Sequence, residues 1–283
     1  MEIISIARQI HALDGEKMAE SFRDLCKTTP GPEDKGKQGL KALYPCFFLE
    51  MIRTPTKGGH SFVDVISDPM RLRRLEEIAY KGKRMMDPLH YWKSIFAMYR
   101  LWYGSISAFR PTVARWLIQK YKPTMAVMDP CAGWGGRCLG AMSCGVPYIG
   151  VDTNENLKNG YERLARLAPV PVKMLWQPSE TVDFSQYKYD MVLTSPPYWI
   201  TERYHGMPNY SSKKDWLFRF LIPVFLNAYD GLLPGGVMAI NFPEDHYVEL
   251  SAFLGDADEV LEMPSATRAT GRAPPMIYVW RKS

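Results

Sequence analysis

The chain of 283 residues has few cysteines and no long apolar run, and both absences narrow the class of protein. The five cysteines are an odd number, and their irregular spacing argues against a disulfide framework and against a zinc site. No stretch approaches the roughly 20 apolar residues that cross a bilayer. The N-terminal segment meets charged residues too early for a secretory signal. The sequence therefore predicts a soluble protein of the cytoplasm or nucleus, without membrane or metal.

The composition is otherwise that of an ordinary globular protein with a slight positive charge. Hydrophobic residues make up 46% and charged residues 23%, which allows a core of normal size. The formal net charge of +5 suits a nucleic-acid partner. Many unrelated enzymes share such a charge, so it does not by itself identify the partner.

The first 110 residues predict a mostly helical region with loops. Apolar residues recur at helical spacing over residues 1–26, and residues 28–39 are rich in Pro, Gly and charge, as in an exposed loop. The apolar run at residues 42–52 predicts a strand, and residues 69–84 predict a basic helix. Residues 87–107 predict a helix with an aromatic stripe, for which core packing is favoured over a base-stacking platform.

From residue 110 onward, short apolar runs alternate with helical segments. The predicted strands are MAVMDP, PYIGVD, VKMLW, YDMVLTS and GVMAINF, and PPMIYVWRK is expected to complete the sheet. This alternation predicts an α/β fold with a doubly wound, mostly parallel sheet, in which ligands bind beyond the carboxyl ends of the strands. We divide the chain into an N-terminal extension, residues 1–86, that recognises DNA or a partner, and a catalytic domain, residues 87–283.

A glycine-rich turn, DPCAGWGGR at residues 129–137, follows the first predicted strand. Glycines let the backbone approach a ligand closely, although such a turn can equally hold a dinucleotide. The spacing is not G-x-G-x-x-G, and Asp129 ends the strand, which favours a ligand with a positive ammonium and sulfonium over a pyrophosphate. Asp152 ends the second strand, where it can accept from two ribose hydroxyls or merely cap the next helix. After the third strand, Gln177 and Ser179 either read an adenine edge or belong to an ordinary polar loop.

The segment TSPPYW at residues 194–199 ends the fourth strand and carries the sharpest chemical signal. An exocyclic base nitrogen is a poor nucleophile, because its lone pair is delocalised into the ring. Acceptors for both amino hydrogens draw the nitrogen toward tetrahedral geometry, and the Ser195 hydroxyl and the Pro196 carbonyl are suitably adjacent. Pro196 and Pro197 stiffen the loop, and Tyr198 offers a ring on which a flipped base can stack. The structural alternative is a rigid Pro-Pro turn with a buried aromatic.

These motifs resemble those of the amino methyltransferases of DNA, over residues 107–245. Residues 129–136 are similar to motif I of that family, Asp152 to its ribose acid, residues 195–198 to its catalytic motif IV, and residues 109–121 to its motif X, which helps to cradle the methionine part of the cofactor. The resemblance implies a Rossmann-like methyltransferase fold and S-adenosyl-L-methionine as cofactor. The implied catalytic residues are Ser195, Pro196, Pro197 and Tyr198. The implied cofactor residues are Phe109, Arg110, Thr112, Asp129, Ala132, Gly133, Trp134, Gly135, Asp152, Gln177, Ser179 and Thr194.

A run similar to D-x-x-A-G-W-G-x-R also occurs in family members from phages and large viruses, with an aromatic, an acid and a tyrosine after SPPY. The matching residues here, Trp199, Glu202 and Tyr204, are expected near the substrate, or else form an ordinary polar loop. Arg268 and Arg272 suit phosphate contacts. A second basic group suits phosphates or forms a solvated helix face: Arg71, Arg73, Arg74, Lys81, Lys83 and Arg84.

Several reactions stay open at this stage. TSPPYW is similar to the version usual in cytosine-N4 enzymes, which makes N4 of cytosine in DNA the first hypothesis and N6 of adenine the second. RNA base methylation is a further possibility, and a non-catalytic nucleic-acid-binding subunit is the last. Cys131 belongs to the cofactor loop and is not expected to act as a nucleophile. The chain between motifs I and IV is too short for a large target-recognition domain, so a homodimer or an accessory specificity partner is possible.

Overall fold

The fold is described from a computed structural model. It covers residues 3–34, 36–56, 58–81, 90–197, 199, 208–263 and 276–283. Within these ranges an N-terminal group of helices precedes a single mixed sheet flanked by helices. No described helix combines the length and apolarity needed to cross a membrane.

Six helices form the N-terminal group within the described residues, and their breaks follow the local sequence. Asp14 caps the second of them by accepting from the Lys17 amide, and Ser61 forms a reciprocal capping box with Asp64 at the fourth. In chain order they are α1 (Ile3–Ile10), α2 (Gly15–Lys27), α3 (Leu40–Arg53), α4 (Phe62–Ser67), α5 (Pro69–Ala79) and α6 (Tyr91–Tyr103).

The strand predicted at residues 42–52 is wrong, because this run lies within α3. The helix is buried on two sides. Leu43 and Phe47 pack into the core that contains one face of the sheet, whereas Phe48 and Ile52 pack among the N-terminal helices. A short helix that is apolar nearly all round looks like a buried strand, since periodicity cannot separate the two.

The aromatic stripe of α6 packs mainly into the core of the N-terminal helices. Trp92 and Tyr99 are buried there with Phe62, which confirms the core-packing interpretation for these rings. Trp102 is the exception, because it is 55% exposed, and the Arg74 guanidinium lies 4.8 Å from its ring centroid. Helix α6 lies after the predicted boundary at residue 86, but it packs with α1, α4 and α5, which lie before it. The division of the chain at that point stays a prediction.

The sheet has seven strands in the order β3-β2-β1-β4-β5-β7-β6 within the described residues. The strands are β1 (Val127–Asp129), β2 (Tyr148–Asp152), β3 (Val172–Trp176), β4 (Met191–Thr194), β5 (Val237–Phe242), β6 (Glu259–Glu262) and β7 (Met276–Arg281). The first five pair in parallel, and β7 runs antiparallel to β5 and β6. The predicted fold class, a doubly wound and mostly parallel α/β sheet with a helical N-terminal extension, is confirmed.

Helices cover both faces of this sheet, which explains why its central strands are continuously apolar. The remaining helices are α7 (Pro111–Tyr121), α8 (Gly136–Ser143), α9 (Lys158–Ala165), α10 (Lys213–Trp216), α11 (Ile222–Asp230) and α12 (Glu244–Leu254). Met191 and Leu193 of β4 face a core that includes α2, α3, α7 and α8. Val192, between them, faces the opposite core with α11. Because β1, β2, β4 and β5 run parallel, their carboxyl ends meet at one edge of the sheet.

Candidate active site

A cavity of about 350 Å³ opens at this edge of the sheet. Its walls combine the loops after β1, β2, β3 and β4 with the segment before α7. The residues that line it are Ser107, Ala108, Phe109, Pro130, Cys131, Ala132, Gly133, Trp134, Gly136, Arg137, Val151, Asp152, Thr153, Asn154, Leu157, Ser179, Glu180, Ser195, Pro196, Pro197, Pro208, Tyr210, Phe220, Asn241 and Met263.

The loop after β1 depends on glycine at two kinds of position. Gly133 and Gly135 have φ angles of 55° and 71°, a left-handed conformation that other residues rarely adopt. Gly136 begins α8, and a Cβ atom there would fall 1.8 Å from the carbonyl oxygen of Phe109. The loop and the segment before α7 therefore touch through bare backbone, and this contact forms one wall of the cavity.

Asp129 lies beneath this loop and is fully buried. Its carboxylate accepts from Arg137 Nε at 2.7 Å, from the Tyr148 hydroxyl at 2.6 Å and from the Cys131 amide at 3.2 Å. Asp129 does not line the cavity. In contrast to the expectation from the sequence, its charge therefore faces Arg137 rather than a positively charged ligand.

Arg137 connects the buried carboxylate to the cavity wall. Its guanidinium donates to the carbonyl oxygens of Cys131 and Ala132 and lies 5.1 Å from the centroid of the Phe109 ring. Although burial lowers the pKa of this guanidinium, the Asp129 carboxylate raises it above its ordinary value. Arg137 thus stays charged, holds the loop by its carbonyls and lines the cavity. It stands in the recognised motif, but sequence reasoning gave it no role.

Asp152 ends β2 and lines the cavity, as its predicted role requires. Its two oxygens accept from the backbone amides of Gly133 and Asn154, each at 2.8 Å. Burial raises the pKa of this carboxyl to about 6, against the lowering effect of the two amides. Asn154, rather than Asp152, caps the short helical turn that follows, by accepting from the Asn156 amide. Each carboxylate oxygen keeps acceptor capacity for a ligand.

The loop after β3 contributes Ser179 and Glu180 to the cavity, but not Gln177, which is exposed. The Ser179 hydroxyl donates to the carbonyl of Pro130 and so ties this loop to the glycine-rich loop. Glu180 Oε1 accepts from the Tyr210 hydroxyl at 2.8 Å. Glu180 belongs to the polar segment in which the sequence predicts an adenine-reading group, whereas sequence reasoning missed Tyr210, because it belongs to no recognised motif.

The other predicted cofactor residues divide into two groups. Phe109, Ala132, Gly133 and Trp134 line the cavity. The residues outside its lining are Arg110, Thr112, Gly135 and Thr194. Thr112 and Thr194 are fully buried, and the Thr112 hydroxyl is 3.4 Å from the carbonyl oxygen of Gly36. Both side chains lie behind the lining of the cavity, and their roles toward a cofactor stay predictions.

At the opposite end of the cavity, Ser195, Pro196 and Pro197 form part of the lining. The Ser195 hydroxyl lies 3.4 Å from Asn241 Oδ1, and Asn241 Nδ2 donates to the Met276 carbonyl at 2.8 Å. Asn241 lies near the carboxyl end of β5, at the same edge of the sheet. The sequence did not identify it as a site residue. Among the described residues, Ser195, Asn241 and the two prolines give this end of the cavity neutral hydrogen-bonding groups and stiff backbone.

Of the predicted substrate residues, Trp199 belongs to the part of the chain that the structure describes. Trp199 packs beside Trp216, with ring centroids 6.4 Å apart, and does not line the cavity. The other predicted catalytic and substrate residues, Tyr198, Glu202, Tyr204, Arg268 and Arg272, lie outside the described residues.

The basic group on α5 is mostly engaged in contacts within the protein. Arg71 contacts Asp68, and Arg73 contacts Glu77. Arg74 lies against Trp102, whereas Lys81 is exposed. Lys83 and Arg84 lie outside the described residues.

Cys131 lines the cavity beside the buried ion pair. Burial, and then the nearby Asp129 carboxylate, raise the pKa of its thiol well above the ordinary value. A thiol that stays protonated at neutral pH is a poor nucleophile. Among the described residues, no group of three or more His, Cys, Asp or Glu is arranged to hold a metal ion.

The comparisons with known proteins reveal similarity of fold at low sequence identity. No protein-family model matches the chain, and no curated protein sequence matches it. TrmN from Thermus thermophilus is 16% identical with a TM-score of 0.47, over 81% of this chain and 80% of that one.

Two further structures match a smaller share of the chain. The N-methyltransferase NodS from Bradyrhizobium japonicum WM9 is 10% identical with a TM-score of 0.44, over 60% of this chain and 92% of that one. An rRNA methylase from Streptococcus thermophilus is 16% identical with a TM-score of 0.41, over 62% of this chain and 99% of that one. At such identities the likeness concerns the fold alone.

Proposed function

We propose that the chain is an S-adenosylmethionine-dependent methyltransferase that modifies an exocyclic amino group of a nucleic-acid base. The first candidate target is N4 of cytosine in DNA. One observation carries the proposal: a single cavity joins the glycine-rich loop and Asp152 at one end to Ser195, Pro196 and Pro197 at the other.

The residues at the first end fit a nucleoside that carries an amino-acid group. Asp152 keeps acceptor capacity for two ribose hydroxyls, and the Glu180 carboxylate can accept from an exocyclic amine of adenine. The tight backbone contact between Gly136 and Phe109 forms the wall here, and beside the Phe109 ring the Arg137 guanidinium offers positive charge to a ligand carboxylate. When bound, S-adenosylmethionine supplies a methyl group on a positively charged sulfur.

The second end offers acceptors to an amino group. The Ser195 hydroxyl and the backbone carbonyl of Pro196 can each accept one amino hydrogen, which localises the nitrogen lone pair. The two prolines hold these acceptors in place before the substrate arrives, so little reorganisation is needed. The raised pKa of Cys131 supports direct transfer without a covalent intermediate on the protein.

The choice of base and polymer follows from the sequence resemblance and the charge. TSPPYW is similar to the version usual in cytosine-N4 enzymes, so cytosine is placed before adenine. The net charge of +5 suits DNA or RNA alike, and RNA is the second candidate polymer. A base that enters this cavity must leave its helix, because the reacting nitrogen is not accessible within a stacked duplex.

The test is methyl transfer from isotopically labelled S-adenosylmethionine to unmethylated genomic DNA, with single-stranded DNA and RNA in parallel. Mass spectrometry of the digested nucleosides identifies the modified base. We expect N4-methylcytosine in DNA, and we expect Ser195→Ala to remove most of it.

The other outcomes distinguish the alternatives. N6-methyladenine would keep the site chemistry and correct the base, and label in RNA alone would correct the polymer. A protein that binds S-adenosylmethionine in titration calorimetry but labels no nucleic acid would contradict the proposed substrate class. Absence of both binding and transfer would overturn the function altogether.

A further inference from the structure

Asn241 is the group that the cavity places against the Ser195 hydroxyl. It lies on β5, is 4% exposed and lines the cavity beside the β4 loop. Its side-chain amide reaches in two directions, to Ser195 Oγ at 3.4 Å and to the Met276 carbonyl oxygen on β7 at 2.8 Å. Strands β5 and β7 are paired antiparallel, with Phe242 opposite Met276, so this second partner is fixed by the sheet.

The fixed partner determines which way the amide faces. A backbone carbonyl only accepts, so the Asn241 NH₂ group must face Met276. The Asn241 carbonyl oxygen then faces Ser195, and it too only accepts. The single hydroxyl proton of Ser195 is therefore donated to Asn241, and both lone pairs of Ser195 Oγ remain for another donor.

We propose that Asn241 is a positioning residue that makes Ser195 an acceptor toward the substrate amino group. This inference rests on the proposed function and extends it. A serine hydroxyl rotates freely and can present its proton as easily as its lone pairs. A proton aimed at an amino group would oppose the hydrogen bond that localises its lone pair. Since an amide does not take up a proton near neutral pH, Ser195 acts as a neutral acceptor and not as a base.

The test replaces the amide by a group whose hydrogen-bonding pattern depends on pH. In Asn241→Asp, a protonated carboxyl can donate to Met276 and accept from Ser195, as the amide does. An ionised carboxylate can only accept, and it repels the Met276 carbonyl. Burial disfavours ionisation, so the pKa of the new carboxyl is expected above its ordinary value.

We expect the kcat of Asn241→Asp relative to wild type to fall at least tenfold as pH rises through that pKa, with little change in the KM for nucleic acid. Dividing by the wild-type value at each pH removes the titration of shared groups such as Asp152. Asn156→Asp is the matched control, because it makes the same chemical change at an exposed position. Its kcat relative to wild type should not depend on pH.

Two further measurements make the kcat result interpretable: the kcat of a second variant, Asn241→Leu, and the Tm of Asn241→Asp without cofactor. Asn241→Leu removes the hydrogen bonds to Ser195 and Met276 and should lower kcat by about 10- to 100-fold at every pH. The Tm of Asn241→Asp relative to wild type should fall as pH rises, because a raised carboxyl pKa stabilises the fold only while the group is protonated. That trend verifies that the new carboxyl is buried as intended.

Two results would overturn the inference while leaving the proposed function intact. One is a pH-independent kcat ratio for Asn241→Asp despite the expected fall in Tm. The other is near wild-type kcat for a folded Asn241→Leu. If the wild-type protein transfers no methyl group to any nucleic acid, the proposed function fails, and this inference fails with it.

Discussion

The two ends of the cavity use opposite electrostatics. The glycine-rich end holds a buried ion pair between Asp129 and Arg137, with the Asp152 carboxylate beside it. The Ser195 end holds a hydroxyl and an amide, hydrogen-bonded to each other. Formal charge is thus concentrated where the proposed ligand is charged, and neutral acceptors stand where a neutral base would be placed.

The difference shows what a buried charge requires and what a neutral pair avoids. An unpaired buried charge is strongly unfavourable, so Asp129 is surrounded by a guanidinium, a hydroxyl and an amide. A carboxylate in place of Ser195 would need comparable partners. The neutral pair of Ser195 and Asn241 avoids this requirement, but the direction of the hydroxyl proton must then be fixed by a neighbour.

The largest effect is expected from a substitution that breaks the ion pair between Asp129 and Arg137 at the glycine-rich end. Arg137→Met leaves Asp129 buried without its cation, and such a loss typically lowers the free energy of unfolding by about 3–5 kcal/mol. The carbonyls of Cys131 and Ala132 also lose their donor. Urea denaturation measures the stability, and titration calorimetry measures the affinity for S-adenosylmethionine. We expect both to fall.

Arg115 provides the matched control for Arg137. It is also buried, but its guanidinium donates to carbonyls of Cys26, Thr28 and Ser143, and it does not line the cavity. Arg115→Met should lower stability while the folded protein keeps its ligand affinity. An equal loss of affinity in both folded variants would mean that Arg137 has no specific role in the cavity.

The next effect separates the two ends by kinetics. Ser195→Ala should lower kcat by about 10²-fold, as removal of one preorganised polar group from an active site does, with ligand affinity nearly unchanged. Asp152→Ala should instead weaken ligand binding first. Single-turnover rates at saturating ligand, together with calorimetry, measure the two quantities separately. If Ser195→Ala weakened ligand binding as much as Asp152→Ala does, the division of labour between the ends would be wrong.

A smaller effect concerns the wall between the glycine-rich loop and the segment before α7. In Gly136→Ala the new Cβ would fall 1.8 Å from the Phe109 carbonyl oxygen, so the backbone must shift. Such overpacking typically costs about 1–3 kcal/mol of stability. Gly31→Ala is the control, because nothing lies within 4 Å of its added Cβ. Equal unfolding midpoints for both variants in urea would contradict the tight contact at Gly136.

The sequence is most informative where a strand is a short apolar run with turn residues at both ends. The five parallel strands were predicted, because each is a short apolar run bounded by turn residues, and β7 was predicted from PPMIYVWRK. The four-residue strand β6 was not foreseen, since half-buried and exposed residues alternate in it without a strong apolar signal. The helix α3 was mistaken for a strand because both of its sides are buried.

The candidate site shows the same limit at the level of single residues. Motif residues such as Gly133, Asp152 and Ser195 line the cavity. Asp129 does not line it, because its carboxylate is paired with Arg137. That pairing cannot be inferred from the spacing of the two residues alone. Asn241 comes from β5, and only the pairing of strands brings it to Ser195.

The smallest expected effect is a pH dependence at Asp152. Burial raises the pKa of this carboxyl to about 6. If the ionised form accepts two ribose hydroxyls, the affinity for S-adenosylmethionine should fall by up to about tenfold for each pH unit below 6 and reach a plateau above 7. Calorimetry between pH 5 and pH 8 measures this. Asp152→Asn should bind more weakly without that dependence, and a flat wild-type profile would contradict the role of the carboxylate.

The stability of the ligand-free protein should move in the opposite direction, which sharpens the same test. The pKa of Asp152 is higher in the folded protein than the ordinary unfolded value of about 3.9, so the folded state holds the proton more tightly. The contribution of Asp152 to stability is therefore fully present below pH 4 and is lost as pH rises through 6. Because ligand binding favours the ionised carboxyl, a saturating ligand should reduce that loss in wild type. In Asp152→Asn both trends should disappear, whereas a trend that persists there belongs to another group.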